Sequence, residues 1–181
     1  MKIICISGKA RHGKDVTATF LSKALEKRGC KVLIAHYGDL VKYICKTFFG
    51  WNGEKDEAGR EMLQFVGTDV IRKQNPDFWV NFVRDILRFF PGRWDYVIIP
   101  DCRFQNEVEI MKTTFLDAVH IRVIRPDFIS PLTAKQQAHV SETALDSVTP
   151  DYLIYNVGTL EDHERRIDLL ADEMLSKLWG N

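Results

Sequence analysis

Apolar residues cluster along this chain in short blocks separated by longer amphipathic stretches, and the blocks predict five strands alternating with helices. The first block, Ile3-Ile4-Cys5-Ile6, lies inside a strand predicted over Lys2 to Ser7. A helix follows from Lys14 to Arg28, where Val16, Phe20 and Ala24, then Leu21 and Leu25, recur every four residues and Gly29 stops the run. Lys31 to Tyr37 is the second predicted strand, Gly38 breaks it, and Asp39 is placed to cap a helix reaching Phe49. Gly50 to Gly59 is polar and reads as a loop. Arg60 to Gln74 is a helix with Met62, Phe65, Val66 and Val70 on its apolar face. Asn75-Pro76 restarts a helix that runs to Phe90 and is expected to bury Trp79, Phe82, Val83, Ile86 and Leu87. Strands over Trp94 to Pro100 and Ala118 to Ile124 flank a helix from Phe104 to Phe115. Arg125 to Val140 has no apolar rhythm and reads as a mobile lid. A short strand, Asp151 to Tyr155, and a helix from a Thr159 cap to Trp179 complete the pattern.

Strands alternating with helices imply an α/β fold with a parallel sheet, right-handed crossovers and ligands beyond the carboxyl ends of the strands. The residues just after the predicted strands are therefore the ones to inspect: Gly8 to Lys14, Gly38-Asp39, Asp101 to Arg103, Arg125 and Asn156.

Gly8-Lys9-Ala10-Arg11-His12-Gly13-Lys14-Asp15 carries the strongest chemistry. It matches G-x-x-x-x-G-K-[ST], the phosphate-binding loop, everywhere but its last position, where Asp15 replaces a hydroxyl. The two glycines let backbone N–H groups turn inward, the following helix presents its positive end, and Lys14 adds a point charge near the β- and γ-phosphates. Arg11 and His12 supply further donors. The usual hydroxyl ligates Mg²⁺; a carboxylate at Asp15 ligates it directly or through water, while adding negative charge beside a polyphosphate. Asp101 follows an apolar strand, where enzymes with this loop hold Mg²⁺ or its waters; the competing reading is an ordinary helix cap. Arg103 either turns its planar fork to a phosphate or forms a surface salt bridge. Arg60, Gln64 and Gly67 lie about a turn apart on one helical face, with Arg72 beyond them. Trp79 either stacks on a base or packs in the core. His139-x-Ser141-Glu142 closes the lid and reads either as a helix start capped by Ser141 or as a place where His139 touches a phosphate, without acid–base work.

Composition narrows the classes further. Lys plus Arg equals Asp plus Glu at 25 each, so the chain is not the basic domain that binds nucleic acid or membrane surfaces. Its 181 residues suit one domain that needs no disulfide staples. Cys5, Cys30, Cys45 and Cys102 form no C-x-x-C pair, which argues against zinc; Cys5 is expected in the core, Cys102 partly exposed. No charged-then-apolar leader opens the chain, so a cytoplasmic protein with reduced thiols is expected. A GTPase-like switch would need an Asn-Lys-x-Asp stretch, which the sequence lacks; a nucleotide sensor would keep the loop but need neither Asp101 nor Arg103.

The same residues resemble deoxynucleoside monophosphate kinases of the phage type. The resemblance rests on Ser7-Gly8-Lys9 through Gly13-Lys14-Asp15, on Leu63-Gln64-Phe65-Val66-Gly67 with Arg72, Pro76-Asp77 and Trp79, on Asp101-x-Arg103-Phe104-x-Asn106-Glu107, on Ser141-Glu142-Thr143-Ala144-Leu145, and on Asp151 with Asn156-x-Gly158-Thr159. Animal-type phosphomevalonate kinases resemble the same framework and are the alternative. The resemblance implies a single three-layer P-loop kinase domain over residues 1–181, with its sheet in order 2-3-1-4-5, an acceptor-binding helical segment at about 39–90 and a lid at about 125–142. It implies transfer from ATP, with Mg²⁺, to a deoxynucleoside monophosphate, and is compatible with a homodimer. Lys14, Asp15, Asp101, Arg103 and Arg125 would be catalytic, with Asp15 and Asp101 toward the metal. Gly8 to Val16 and Asn156 would hold ATP. Asp39, Lys42, Arg60, Gln64, Arg72, Trp79, Arg103 and Glu142 would serve the acceptor.

Overall fold

A computed structural model describes residues 1–176. Five strands form one sheet: β1 (Lys2–Ser7), β2 (Val32–Ile34), β3 (Tyr96–Ile99), β4 (Val119–Ile124) and β5 (Tyr152–Tyr155). All neighbours run parallel in the order β2-β3-β1-β4-β5, as the resemblance implied. The central strand explains why its sequence is continuously apolar. Ile3 and Cys5 face one layer of helices, Ile4 and Ile6 the other, and all four are fully buried. On the Ile4 side pack α1 (Lys14–Lys27) and α8 (Leu160–Ser176). The expected helix end at Trp179 lies outside the described residues. On the Ile3 side lie α2 (Gly38–Phe49), α4 (Phe78–Phe89) and α5 (Gln105–Thr114).

Several local expectations are corrected. The stretch read as a loop already turns helical at α3 (Glu57–Gln64), because Asp56 caps it by accepting the Gly59 N–H at 2.7 Å. Residues Phe65–Arg72 then form a π-helix rather than continuing an α-helix. The wider turn shifts the apolar register, so Phe65, expected inside, is exposed while Val66 and Gly67 are buried. On α4 the expected core residues Trp79, Val83 and Leu87 are buried, but Phe82 and Ile86 point outward. Cys102 is fully enclosed, not partly exposed. The stretch expected as a lid contains two one-turn helices, α6 (Ala134–Gln137) and α7 (Val140–Thr143). No described helix is long and apolar enough to cross a membrane.

Candidate functional site

The loop between β1 and α1 is built for close backbone approach. Gly8 and Gly13 adopt φ of 150° and 100°. A Cβ on Gly8 would lie 2.4 Å from the Val123 carbonyl oxygen, and one on Gly13 would lie 2.5 Å from Asn156 Nδ2, so only glycine fits either place. Arg11 is the one described non-glycine residue in the left-handed region, at φ 60°. Asn156, expected at the nucleotide edge, braces the loop by donating from Nδ2 to the His12 carbonyl at 3.0 Å. α1 starts at Gly13 without a side-chain cap, leaving its first N–H groups to face an incoming anion.

Lys14 folds over this loop. Its ammonium donates to the Gly8 and Lys9 carbonyls at 2.7 and 2.9 Å. Burial, and then the nearby Arg103 guanidinium, bring its pKa down to about 8. His12 is held below its ordinary value by burial and by Lys14, and its Nδ1 accepts the Arg125 N–H at 3.2 Å. Val16 and Asp15 are exposed on the first turn of α1.

Across the cleft, Glu142 reaches into the loop. Its Oε2 accepts the Ala10 N–H at 3.0 Å, while Oε1 accepts from Arg103 Nη1. Lys9 holds the same turn, donating to the Glu142 carbonyl and to Asp146, each at 2.6 Å. A cavity of about 250 Å³ lies between these groups, lined by Gly8, His12, Arg103 and Glu142 among others. A loop N–H and a guanidinium thus converge on one carboxylate, in charge-assisted hydrogen bonds. Arg103 is fixed from behind: its N–H donates to buried Glu107 at 2.7 Å.

Asp101 caps a helix, though not the one that follows it in sequence. Its two carboxylate oxygens accept the Tyr37 and Gly38 N–H groups at 3.0 and 2.8 Å, so it caps the start of α2 across 63 residues of sequence. Burial raises its pKa, those hydrogen bonds opposing. Asp39, expected to cap α2, instead pairs with Lys42 at 2.7 Å. His36 was missed. It stands between two carboxylates, with Nε2 3.8 Å from Asp15 and Nδ1 3.5 Å from Asp39. The Asp15 contact lowers the carboxyl pKa and raises that of the imidazole. Its position just past β2 was the available signal. Among the described residues no group of three or more metal-type side chains is gathered. Mg²⁺ needs only one or two carboxylates beside substrate phosphates and waters; Asp15 is exposed on the first turn of α1, and the Asp101 oxygens keep lone pairs beyond their two backbone hydrogen bonds.

Two expected acceptor residues belong to the core. Trp79 is buried with its indole N–H donating to the Gly67 carbonyl at 2.9 Å, so neither face of its ring is offered to a base. Arg72 is buried over the Phe104 ring at 3.5 Å, donates to the Pro76 carbonyl at 2.9 Å and lies 3.3 Å from Glu107. Arg60 and Gln64 are half-buried on α3. On the other side of the loop, a cavity of about 210 Å³ is lined by Arg125, Phe128, Asn156 and Gly158. The Arg125 guanidinium lies 4.8 Å above the Phe128 ring.

The family model for "Deoxynucleotide monophosphate kinase" matches residues 35–167. The chain belongs to that family. It is 31% identical to the deoxynucleotide monophosphate kinase of Enterobacteria phage T4 over 113 residues, which span 61% of this chain and 44% of the phage protein. The chain thus matches less than half the length of that relative. A protein of Acanthamoeba polyphaga mimivirus, provisionally given the same name, is 26% identical over 95% of this chain and 97% of its own. Among solved structures, a gluconokinase from Sinorhizobium meliloti 1021 superposes with a TM-score of 0.55 at 12% identity, over 98% of this chain and 95% of that one. Such a likeness establishes the shared kinase fold. The family match begins after the phosphate-binding loop, so the loop and the family assignment support each other from separate stretches of sequence.

Proposed function

We propose that this family member transfers the γ-phosphoryl group of ATP to a deoxynucleoside monophosphate. The observation that carries the reading is the facing of Lys14 and Arg103 across one cleft, with a loop N–H and a guanidinium already converging on an anion between them. In the reaction an acceptor phosphate oxygen forms the new bond to the γ-phosphorus as the bond to the β-bridging oxygen breaks. The acceptor oxygen is already ionised, so positioning and charge compensation do the work without a general base. Lys14 and the loop amides would take the donor phosphates, Arg103 the transferred group, and Asp39, Lys42, Arg60 and Gln64 the acceptor side. Asp15 and Asp101 would hold Mg²⁺, which when bound neutralises phosphate charge. The cavity beneath Arg125 and Phe128 suits a planar base. ADP formation with a panel of deoxynucleoside monophosphates tests the reading, with phosphomevalonate as a separate arm. Acceleration by none of the nucleotides would end it, and acceleration by phosphomevalonate alone would move the chain to the alternative.

A pH dependence follows from Lys14. The free ammonium titrates near 8, and a bound polyphosphate raises that value. Affinity for ATP is therefore expected to be flat below pH 8 and to weaken above it by up to about tenfold per pH unit. Calorimetric titrations on either side of pH 8 check this; constant affinity would remove Lys14 from the ground-state contacts.

The segment from Arg125 to Val140 is proposed as the lid. Most of it is exposed, and it is held near its two ends, by Arg125 and Phe128 against His12 and by His139 3.7 Å from Asp69. Little burial holds such a stretch when no ligand is present. Limited proteolysis is expected to cut it quickly in the free protein and slowly with a bisubstrate analogue. Equal rates would rule out closure.

A further inference from the structure

The Glu142 side chain is 7% exposed and that of its partner Arg103 is 41% exposed. The carboxylate is thus enclosed, between the Ala10 N–H at 3.0 Å and Arg103 Nη1, while part of the guanidinium stays open to solvent. A carboxylate and a phosphate are satisfied by the same partners, backbone N–H groups and a guanidinium fork. Both of those partners belong to segments that carry the phosphate chemistry, the loop after β1 and the turn after β3. The cavity of about 250 Å³ lined by Gly8, Lys9, Arg103 and Glu142 gives an arriving oxyanion and a departing side chain room to exchange.

We propose that Glu142 is a place-holder: a nucleotide phosphate displaces its carboxylate from the Ala10 N–H and from Arg103, and only then does Arg103 turn to the substrate. The proposal rests on the reading of this cleft as the phosphate-transfer site. Two features favour an exchange of side chain for ligand over a fixed structural pair. The backbone beneath Glu142 does not depend on its carboxylate. Lys9 donates to the Glu142 carbonyl and to Asp146, each at 2.6 Å, and Arg122 on β4 donates to the carbonyls of Leu145, Asp146 and Val148. Arg103 Nη1 also donates to the Ser141 carbonyl at 3.2 Å. These contacts remain when the carboxylate rotates away, so the turn keeps its place. Charge is the second feature. A polyphosphate arriving at the loop beside an ionised Glu142 meets a like charge, and joint occupancy is unfavourable. Moving the carboxylate out removes the repulsion and frees both donors at once. The free protein therefore binds phosphate more weakly than its donors alone allow, by the fraction of time the corner is open.

The test is calorimetric titration of the full chain with inorganic pyrophosphate, without Mg²⁺, as wild type and as two variants. Glu142→Gln keeps the shape of the side chain and removes its charge. Glu142→Asp keeps the charge and is one methylene shorter, too short to span the Ala10 N–H and Arg103 together. Both variants are expected to bind pyrophosphate at least about tenfold more tightly than wild type, because the ligand no longer has to break a pair of charge-assisted hydrogen bonds. The aspartate separates displacement from the plain removal of charge. Tighter binding by Glu142→Gln alone overturns the proposal and leaves Glu142 a fixed charge that repels anions. Weaker binding by either variant also overturns it, by making Glu142 a support of the site. Equal affinity in all three proteins overturns the place-holder while the cleft reading stands. Pyrophosphate that binds none of them overturns both. Thermal melts of the variants are expected close to wild type, since Lys9 and Arg122 still hold the turn; a melt lowered by many degrees in both would make the Glu142 contacts structural and overturn the proposal.

Discussion

Lys14→Ala is expected to lower turnover at least about a hundredfold, a loss of about 3 kcal/mol in transition-state stabilisation. The side chain is half-buried in the loop, and its ammonium rests on the Gly8 and Lys9 carbonyls until a phosphate draws it away. Removing it should leave the fold intact. Burial already depresses the Lys14 pKa, so the folded state pays for keeping this charge rather than relying on it. The expected outcome is thus a collapse in the rate of ADP formation with an unchanged or slightly raised thermal midpoint. Near-normal turnover would take the phosphate-binding loop out of the mechanism, while a large fall in melting temperature would make the loss of rate uninformative about chemistry.

Arg72→Met is expected to have the largest effect on folding, about 3 kcal/mol near pH 8. Methionine keeps much of the apolar volume over Phe104 but removes the hydrogen bonds to Pro76 and Asn106 and the cation beside Glu107. The pH dependence gives the sharper check. Burial raises the Glu107 carboxyl to about 7, and Arg72 pulls it down. Without Arg72 the carboxyl pKa rises further. A carboxyl raised on folding loses stability as pH climbs towards its folded pKa, and the variant continues to lose it above the wild-type value. The deficit should therefore widen above pH 7 and narrow near pH 5, where Glu107 is protonated in both proteins. Urea unfolding at the two pH values measures it. An equal deficit at both would assign the loss to packing and neutral hydrogen bonds alone.

The parts of this molecule that were legible in the sequence are those fixed by short-range spacing. The loop from Gly8 to Lys14 declares itself because two glycines and a lysine are needed at set intervals, and the strand ends follow from apolar blocks a few residues long. Residues with two plausible faces were harder to place. On α4, Trp79 and Phe82 are equally hydrophobic and a turn apart, and only the packing of neighbouring helices decides that one is enclosed and the other is not. Arg72 reads as a ligand residue in sequence because guanidinium groups favour phosphates; its ring, carbonyl and carboxylate partners are assembled from residues 76 to 107 and are visible only in three dimensions. Glu142 on the Ala10 N–H, and Asp101 on the start of α2, are likewise contacts between distant segments. No periodicity encodes them.

The π-helix at Phe65–Arg72 also bears on how the chain tolerates changes in length. A π-turn accommodates one residue more than an α-turn, so deleting a single residue there would restore an ordinary helix without breaking the chain's path. A deletion with no wide turn to absorb it would instead rotate Arg60 and Gln64 by about 100° relative to Arg72, the angle one residue subtends in an α-helix. Such a protein would fold with its acceptor side turned away. Residues 50–56, which connect α2 to α3 as a loop, carry no such angular constraint, so length variation among natural relatives should collect there and spare α3.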